Sequence, residues 1–187
     1  MDITGIDRDE AAISKICQTK GDWDEELSLD LKQRYEKWIT ELKNVGSVRI
    51  PRCYFSKDES LPSSLQLHGF SDASSYAYAA AVYLRIERGN NVRSVLITSK
   101  TRVAPLGGQT IPRLELLGAL ILARLISHVA AALSEVVKID RVHCWVDSTA
   151  VLYWILGEQK QWKQFVQNRV VEIRSLVGPT SWSSLPN

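Results

Sequence analysis

One apolar segment constrains the fold of this 187-residue chain more than any other part of its sequence. Residues 114–133 read LELLGALILARLISHVAAAL, and they follow Thr110, a candidate N-cap, and Pro112, a first-turn residue. These signals predict a helix that starts near residue 111. Because the helix is apolar on nearly every face, most of its sides must be covered by other elements. We expect a buried helix rather than a membrane span, since the segment is interrupted by Glu115, Arg124 and His128.

Strand patterns lie on both sides of this helix. Before it, residues 65–103 contain three runs rich in branched and aromatic residues, and the turn signal RGNN separates the second run from the third. After it come the strand pattern RVHCWVDS, a short helix, a longer helix and the strand-like ending TSWSSLPN. We predict an α/β fold with a mixed sheet, in which three antiparallel strands are followed by parallel strands, and with helices on both faces of the sheet.

The N-terminal third of the chain follows a different pattern. Between residues 22 and 45, apolar residues recur at spacings of three and four, which predicts an amphipathic helix with a stripe formed by Leu27, Leu31, Tyr35, Trp38 and Leu42. The polar stretch SKDESLPSS, residues 56–64, then marks a boundary. We predict a helical N-terminal or connection segment at residues 1–60 and an α/β domain at residues 61–187.

Composition narrows the class of protein. Residues 1–60 carry 10 Lys/Arg and 13 Asp/Glu, whereas residues 61–187 carry 13 and 8, so the second part is moderately basic and compatible with a polyanionic partner. The N-terminus MDITGIDRDEAAISKIC has acidic residues where a signal peptide needs basic ones, so secretion is not expected. The three cysteines are far apart and form no CxxC pair, which favours reduced thiols in a reducing compartment.

Three acidic residues occupy unusual positions. Asp72 ends an apolar strand, Asp147 ends the strand VHCWVD, and Glu115 lies in the predicted first turn of the apolar helix. Charges at such places are costly to desolvate unless a partner compensates them, and one bound cation would serve all three. Each residue also has an ordinary structural interpretation: Asp72 as a turn residue or cap, Glu115 as a carboxylate favoured by the helix dipole, and Asp147 as a helix cap. As strand ends form the usual ligand crevice of an open sheet, we expect the three to converge.

Carboxylates without a cysteine or histidine partner suit Mg²⁺ or Mn²⁺. Two such ions about 4 Å apart can activate water and stabilise the leaving oxygen in phosphodiester cleavage. Other motifs give weaker evidence for a chemical site. Gly107 and Gly108 lack the Lys-Ser/Thr ending of a phosphate loop, and we interpret His68, His128 and His143 as isolated histidines.

Three longer motifs carry a family resemblance. LHGFSDASSYAYAAAVYLR, VLITSKTRVAPLGGQTIPRLELLGALILARL and VHCWVDSTAVLYWI resemble the ribonuclease H region of BEL/Pao-type retrotransposon polyproteins. The similarity runs from about Trp23 to the last residue, and residues 23–55 look like the connection between reverse transcriptase and ribonuclease H. The resemblance implies a ribonuclease H-like fold within an intracellular protein, in a cytoplasmic particle or the nucleus.

The resemblance also implies an activity and a set of residues. The activity is hydrolysis of the RNA strand of an RNA/DNA hybrid by two metal ions, Mg²⁺ or Mn²⁺. Asp72 matches the aspartate that bridges the metals, Glu115 the glutamate of the central helix, and Asp147 the aspartate that ends the fourth strand. Candidates for contacts to the nucleic-acid backbone beside these acids are Ser74, Arg113 and Ser148. The implied partners are the hybrid and the reverse transcriptase and integrase portions of a parent polyprotein.

One departure from the family pattern leads to alternative hypotheses. The family continues past its last strand to a fourth carboxylate, whereas this sequence stops at Leu185-Pro186-Asn187. We therefore expect a truncated chain with weak binding of the second metal and low turnover. The first alternative is a catalytically impaired remnant that keeps the fold and binds nucleic acid only. The second is an interaction module in which the three acids are caps.

Overall fold

The structure is a computed structural model of the chain. It describes residues 26, 28–45, 53–55, 61–105, 107–157 and 162–185. The chain divides into two units, residues 1–57 and 58–187, and each is described by itself. Most of the predicted boundary loop, residues 56–60, lies outside the described residues.

The described part of the first unit contains helix α1, Leu29–Val45. The helix corresponds to the amphipathic pattern of residues 22–45, and Leu27 of that pattern lies outside the described residues. Asp30 and Arg34 form an exposed ion pair across one turn at 3.2 Å. Of the apolar stripe, Tyr35 and Leu42 are exposed and Trp38 is half-buried.

The described part of the second unit contains five strands, three α-helices and a short 3₁₀ helix at Pro179–Ser181. In chain order the strands and α-helices are β1 Ser64–Ala73, β2 Ala77–Arg88, β3 Asn91–Val103, α2 Ile111–Ser134, β4 Arg141–Val146, α3 Thr149–Leu156, α4 Gln164–Leu176 and β5 Trp182–Ser184. Helix α2 begins where the sequence predicts, with Thr110 at the N-cap position and Pro112 near its start.

The strands form one mixed sheet in the order β3-β2-β1-β4-β5. β1 pairs antiparallel with β2, and β2 pairs antiparallel with β3. β4 lies parallel to β1 and to β5, so the chain crosses the sheet through α2 between the meander and the parallel strands. The predicted α/β mixed sheet is confirmed.

The core lies between α2 and one face of the sheet, which we call the inner face. Alternate residues of β1 and β2 are buried there, including Leu67 and Leu84, and α2 contributes Leu122 and Ile126. A Cβ at Gly69 of β1 would collide with the side chains of Leu122 and Ile126, so the absence of a side chain allows α2 to approach the strand closely. Burial of each of these leucine or isoleucine side chains contributes about 1.5–3 kcal/mol to the free energy of folding.

The described helices of the second unit lie together on the inner side of the sheet. α4 packs mainly on α2, and α3 contacts α2, β4 and β5. The second helical layer that we predicted is therefore not among the described helices of this unit. On the opposite, outer face, His68, Phe70 and Trp145 are half-buried.

Helix α2 is long and apolar enough to cross a membrane by length and composition alone. Its inward residues nevertheless form the core of the second unit, and ten of its residues are buried against the sheet and the neighbouring helices. A core helix of this kind is what the apolar segment predicts.

Candidate active site

The carboxyl ends of two parallel strands bring Asp72 and Asp147 to the same edge of the sheet. Ser71 and Val146 are the last residues paired between β1 and β4, and each aspartate is the next residue along the chain. Adjacent strands lie about 4.8 Å apart, so the two aspartates occupy neighbouring positions. Both side chains are exposed.

Helix α2 brings Glu115 to that edge. Gly118, three residues after Glu115, packs on the end of β1: a Cβ at Gly118 would lie 3.2 Å from the backbone oxygen of Asp72 and 3.6 Å from Cβ of Ser71. A glycine at this position therefore lets the first turns of α2 approach the strand end. Residues three apart lie on the same side of a helix, so half-buried Glu115 is on the side of α2 that meets β1.

A hydrogen bond ties Glu115 to the residue that follows Asp147. Ser148 Oγ donates to Glu115 Oε2 at 2.6 Å. Ser148 is also the N-cap of α3, and its Oγ accepts a bond from Val151 N at 3.3 Å. Ser148 thus joins the start of α3 to α2. The structure places Asp72, Glu115 and Asp147 at one edge, which we call the acid edge.

The side chains of the acid edge are of the chemical type that binds a divalent cation. Three carboxylates are the hard oxygen ligands that Mg²⁺ and Mn²⁺ prefer. Two of the three side chains contact protein donors, since Asp72 Oδ1 accepts a bond from Ala73 N at 2.7 Å and Glu115 accepts the Ser148 hydroxyl. Among the described residues, no three His, Cys, Asp or Glu side chains are gathered closely enough to hold a metal ion. The residues therefore fit a metal by chemistry and location, and their side chains would have to reorient to bind one.

The structure corrects two of the ordinary interpretations. Glu115 is the fifth residue of α2, beyond the first turn in which we predicted it, because the helix starts at Ile111. The favourable dipole interaction is strongest in the first turn, so it explains Glu115 less well. The N-cap of α3 is Ser148 and not Asp147.

The three weaker candidates have structural partners. Ser74 Oγ accepts bonds from Tyr76 N at 3.1 Å and Ala77 N at 3.2 Å, which stabilises the turn between β1 and β2. Ser148 caps α3 and holds Glu115. Arg113 Nη1 donates to Gln109 Oε1 at 3.4 Å, which leaves its other guanidinium donors without a protein partner among the described residues.

Two aromatic arrangements were not predicted. The first corrects our interpretation of the histidines as isolated. His68 and His143 stack on the outer face with ring centroids 4.8 Å apart, because parallel register places them side by side. Trp145 Nε1 donates to His68 Nδ1 at 3.2 Å, and burial, followed by the nearby His143 and Arg85, lowers the pKa of His68. His68 lies four residues before Asp72, about 13 Å along an extended strand, so it does not serve the acid edge.

The second arrangement surrounds Phe165 at the start of α4. The guanidinium carbons of Arg113 and Arg169 lie 4.8 Å and 3.8 Å from the centre of its ring. The four-residue spacing of Phe165 and Arg169 is visible in the sequence. The approach of Arg113 depends on how α4 packs on α2, so no local pattern could have indicated it.

The thiol of Cys144, near the centre of the sheet, is unreactive. Cys144 of β4 is fully buried, and burial raises the pKa of its thiol to about 12. A thiol that stays protonated is neither a metal ligand nor a nucleophile at neutral pH.

Comparison with known families identifies the fold and its origin. The family model described as the Pao retrotransposon-like RNaseH-like domain matches residues 10–148, a range that includes all three acids. The chain belongs to this family. A search of curated proteins gives no match. The mixed sheet of this Pao-type domain is accordingly a ribonuclease H-like sheet.

Solved structures similar to this Pao-type domain include ribonucleases H from two microorganisms. RNase H1 from Halobacterium salinarum is 14% identical, with a TM-score of 0.40 and coverage of 67% of this chain and 87% of its own. The N-terminal RNase H domain of a Mycobacterium tuberculosis protein is 13% identical, with a TM-score of 0.42 and coverage of 66% and 84%.

A viral polymerase structure is also similar. The foamy viral protease-reverse transcriptase, solved in complex with double-stranded DNA, is 13% identical with a TM-score of 0.48. The match covers 94% of this chain and 33% of the viral chain, so the domain spans about a third of that protein.

Proposed function

We propose that this Pao-type domain hydrolyses the RNA strand of RNA/DNA hybrids and leaves 3′-hydroxyl and 5′-phosphate ends. The observation that supports the proposal is the convergence of three carboxylates at the acid edge, where the Ser148–Glu115 hydrogen bond joins two helices beside the paired strand ends. Asp72, Glu115 and Asp147 would hold two divalent cations, Mg²⁺ or Mn²⁺, which supply an activated water and stabilise the leaving oxygen when bound.

The protein residues have distinct parts in this mechanism. Asp72 and Asp147 present carboxylates from rigid strand ends, which reduces the conformational freedom lost on binding. Ser148 fixes the rotamer of Glu115 by donating to Oε2, and Gly118 keeps the helix against the strand end. Selectivity for a hybrid would come from contacts to 2′-hydroxyl groups across its wide minor groove.

A second candidate function is binding of nucleic acid without catalysis. One observation favours it: the carboxylates of Asp72 and Glu115 already accept hydrogen bonds from Ala73 N and Ser148 Oγ. A domain that has lost its metals could retain this arrangement and use its basic residues for binding. We regard this as the alternative that a cleavage assay must separate from the proposal.

The experiment is a cleavage assay on a hybrid labelled in its RNA strand, with Mg²⁺, Mn²⁺ or EDTA. We expect metal-dependent cleavage by the wild-type protein. The cleavage rate should fall by about 100-fold or more in Asp72→Asn and Asp147→Asn, because residues that only support metal ligands already contribute up to about 100-fold. Asp140→Asn is the matched control, because Asp140 lies at the opposite end of β4, where it accepts a bond from Leu65 N at 2.9 Å. Cleavage that is unchanged in Asp72→Asn would overturn the proposal, and binding of the hybrid without cleavage would favour the second candidate.

A further inference from the structure

Two arginines share one aromatic ring beside the acid edge. Arg113 of α2 and Arg169 of α4 both place their guanidinium groups over Phe165. We propose that Arg113 and Arg169 form a phosphate clamp, which binds the sugar-phosphate backbone of the nucleic acid next to the position of cleavage. The proposal deepens the proposed function and rests on it for the identity of the ligand.

Helix packing places this clamp near the acids. Arg113 contacts Phe165 near the starts of α2 and α4, and Arg124 pairs with Glu172 further along both helices at 2.6 Å. The two helices therefore run in the same direction, and their N-terminal ends lie at the same end of the fold. Arg113 is two residues before Glu115, and residues two apart on a helix face different sides. Arg113 thus faces α4 while Glu115 faces the strand ends.

Among the described residues, no ion pair neutralises the charges of the clamp. The ion pairs of the described residues include Arg124 with Glu172 but neither Arg113 nor Arg169. Glu172 lies close enough for Arg169 to contribute to the lowering of its pKa, but its carboxylate is occupied by Arg124. The hydrogen-bond acceptors of the clamp are neutral: Gln109 Oε1 for Arg113, and the backbone oxygen of Phe165 for Arg169 at 3.0 Å.

The aromatic ring orients the two cations without cancelling their charge. A cation–π contact holds a guanidinium group over the ring face and leaves its positive charge in place. Stacking also limits the rotamers of a long side chain, so less entropy is lost when the guanidinium binds a ligand. Guanidinium forks match phosphate oxygens in a bidentate manner. Two oriented guanidinium groups that form no ion pair among the described residues therefore favour phosphate.

The test measures binding of the hybrid, and the cleavage assay described above is run separately. Affinity for a fluorescently labelled RNA/DNA hybrid is measured by anisotropy in EDTA over a series of salt concentrations. The variants are Arg113→Met and Arg169→Met, which keep the length of the side chain, and Arg169→Lys, which keeps the charge but removes the fork. Arg93→Met is the matched control, since Arg93 is exposed on β3 and pairs with Ile86 at the end of the sheet away from the acid edge. Urea unfolding verifies that each variant is folded.

We expect each methionine variant to bind the hybrid more weakly and to lower the slope of log affinity against log salt by about 1, the effect of one lost phosphate contact. Arg169→Lys should keep the salt slope and bind more weakly, and Arg93→Met should behave as the wild type. Slopes and affinities equal to the wild type in both methionine variants would overturn the clamp, even if the domain cleaves hybrid. A hybrid that is bound through both arginines but never cleaved would support the clamp and contradict the proposed nuclease activity. Failure of the wild type to bind hybrid at all would overturn the clamp as well.

Discussion

Ser148 Oγ donates a hydrogen bond to Glu115 Oε2 at 2.6 Å and accepts one from Val151 N at 3.3 Å. One hydroxyl group therefore caps α3 and restrains the carboxylate that α2 brings to the acid edge. The two residues are 33 positions apart in the sequence, so this bond exists only because the sheet places the start of α3 beside the start of α2.

Replacement of Ser148 by alanine should reduce both stability and metal affinity. The loss of the N-cap is expected to lower the free energy of unfolding by about 1 kcal/mol. Release of Glu115 should weaken Mn²⁺ binding by about 10-fold, as expected for a supporting residue at a metal site. Urea unfolding and Mn²⁺ titration measure the two effects. Ser148→Thr keeps the hydroxyl and should retain most of both, whereas an unimpaired Ser148→Ala would show that the bond has no role.

Gly118 should tolerate only the smallest addition. A Cβ there lies 3.2 Å from the backbone oxygen of Asp72, which cannot move without shifting the strand. In alanine this crowding is offset by a gain in helix propensity of about 1 kcal/mol, so Gly118→Ala should be close to neutral. Gly118→Val should lower the free energy of unfolding by about 1–3 kcal/mol through overpacking.

The matched control for this prediction is Gly107→Val. An added Cβ at Gly107 meets no atom within 4 Å, so only a small change is expected. Thermal or urea unfolding compares the three variants. If Gly118→Val were as stable as the wild type, α2 would not be held against the end of β1 as described.

The His68 imidazole should make stability depend on pH. Trp145 Nε1 donates to His68 Nδ1, and Nε2 faces Gln66 Oε1 at 3.2 Å, so the neutral form is the one that fits. Burial, and then the nearby His143 and Arg85, lower the pKa of His68 below its usual 6.5 in the folded state. The unfolded chain therefore binds a proton more readily, and the contribution of His68 is present above pH 6.5 and lost as the pH falls through the lower folded value.

Urea unfolding at about pH 7.5 and about pH 5 tests this dependence. The wild type should lose stability at the lower pH, and His68→Gln should lose less. His128→Gln, which removes an exposed histidine of α2, is the control and should follow the wild-type profile. Identical losses in the wild type and His68→Gln would contradict the prediction.

Arg174 should contribute more to stability than Arg124. Its guanidinium donates to the backbone oxygens of Ile155 at 2.9 Å, of Trp154 at 3.2 Å, and of Gly157, and so satisfies the carbonyl groups at the end of α3. Arg174→Met leaves these partly buried carbonyls without a donor, and should lower the free energy of unfolding by about 1–3 kcal/mol. Arg124→Met removes an exposed ion pair and should cost about 0–1 kcal/mol. Urea unfolding ranks the two, and the reverse order would contradict the assigned contacts.

Local patterns in the sequence predicted the sheet and the position of two acids. The alternation of residues 65–103 and the start signals at Thr110 and Pro112 depend on neighbours along the chain, so the elements could be placed. The order of the strands then implied that Asp72 and Asp147 lie at one edge, as the parallel register confirms.

Features that depend on packing between distant elements could not be predicted. The stack of His68 on His143 follows from the register of β1 against β4. The clamp of Arg113, Phe165 and Arg169 follows from the rotation of α4 about its axis. The prediction that Glu115 lies in the first turn was wrong. The helix starts at Ile111 and has about 3.6 residues per turn, so Glu115, its fifth residue, lies in the second turn.

We propose that Asp72, Glu115 and Asp147 share one divalent-metal site. Electron paramagnetic resonance of free Mn²⁺, titrated against the protein, measures this directly and does not depend on turnover. We expect saturable Mn²⁺ binding by the wild type, retained by Asp140→Asn and weakened about 10-fold or more in each of Asp72→Asn, Glu115→Gln and Asp147→Asn. Equal Mn²⁺ affinity in the wild type and all three amide variants would contradict the shared site.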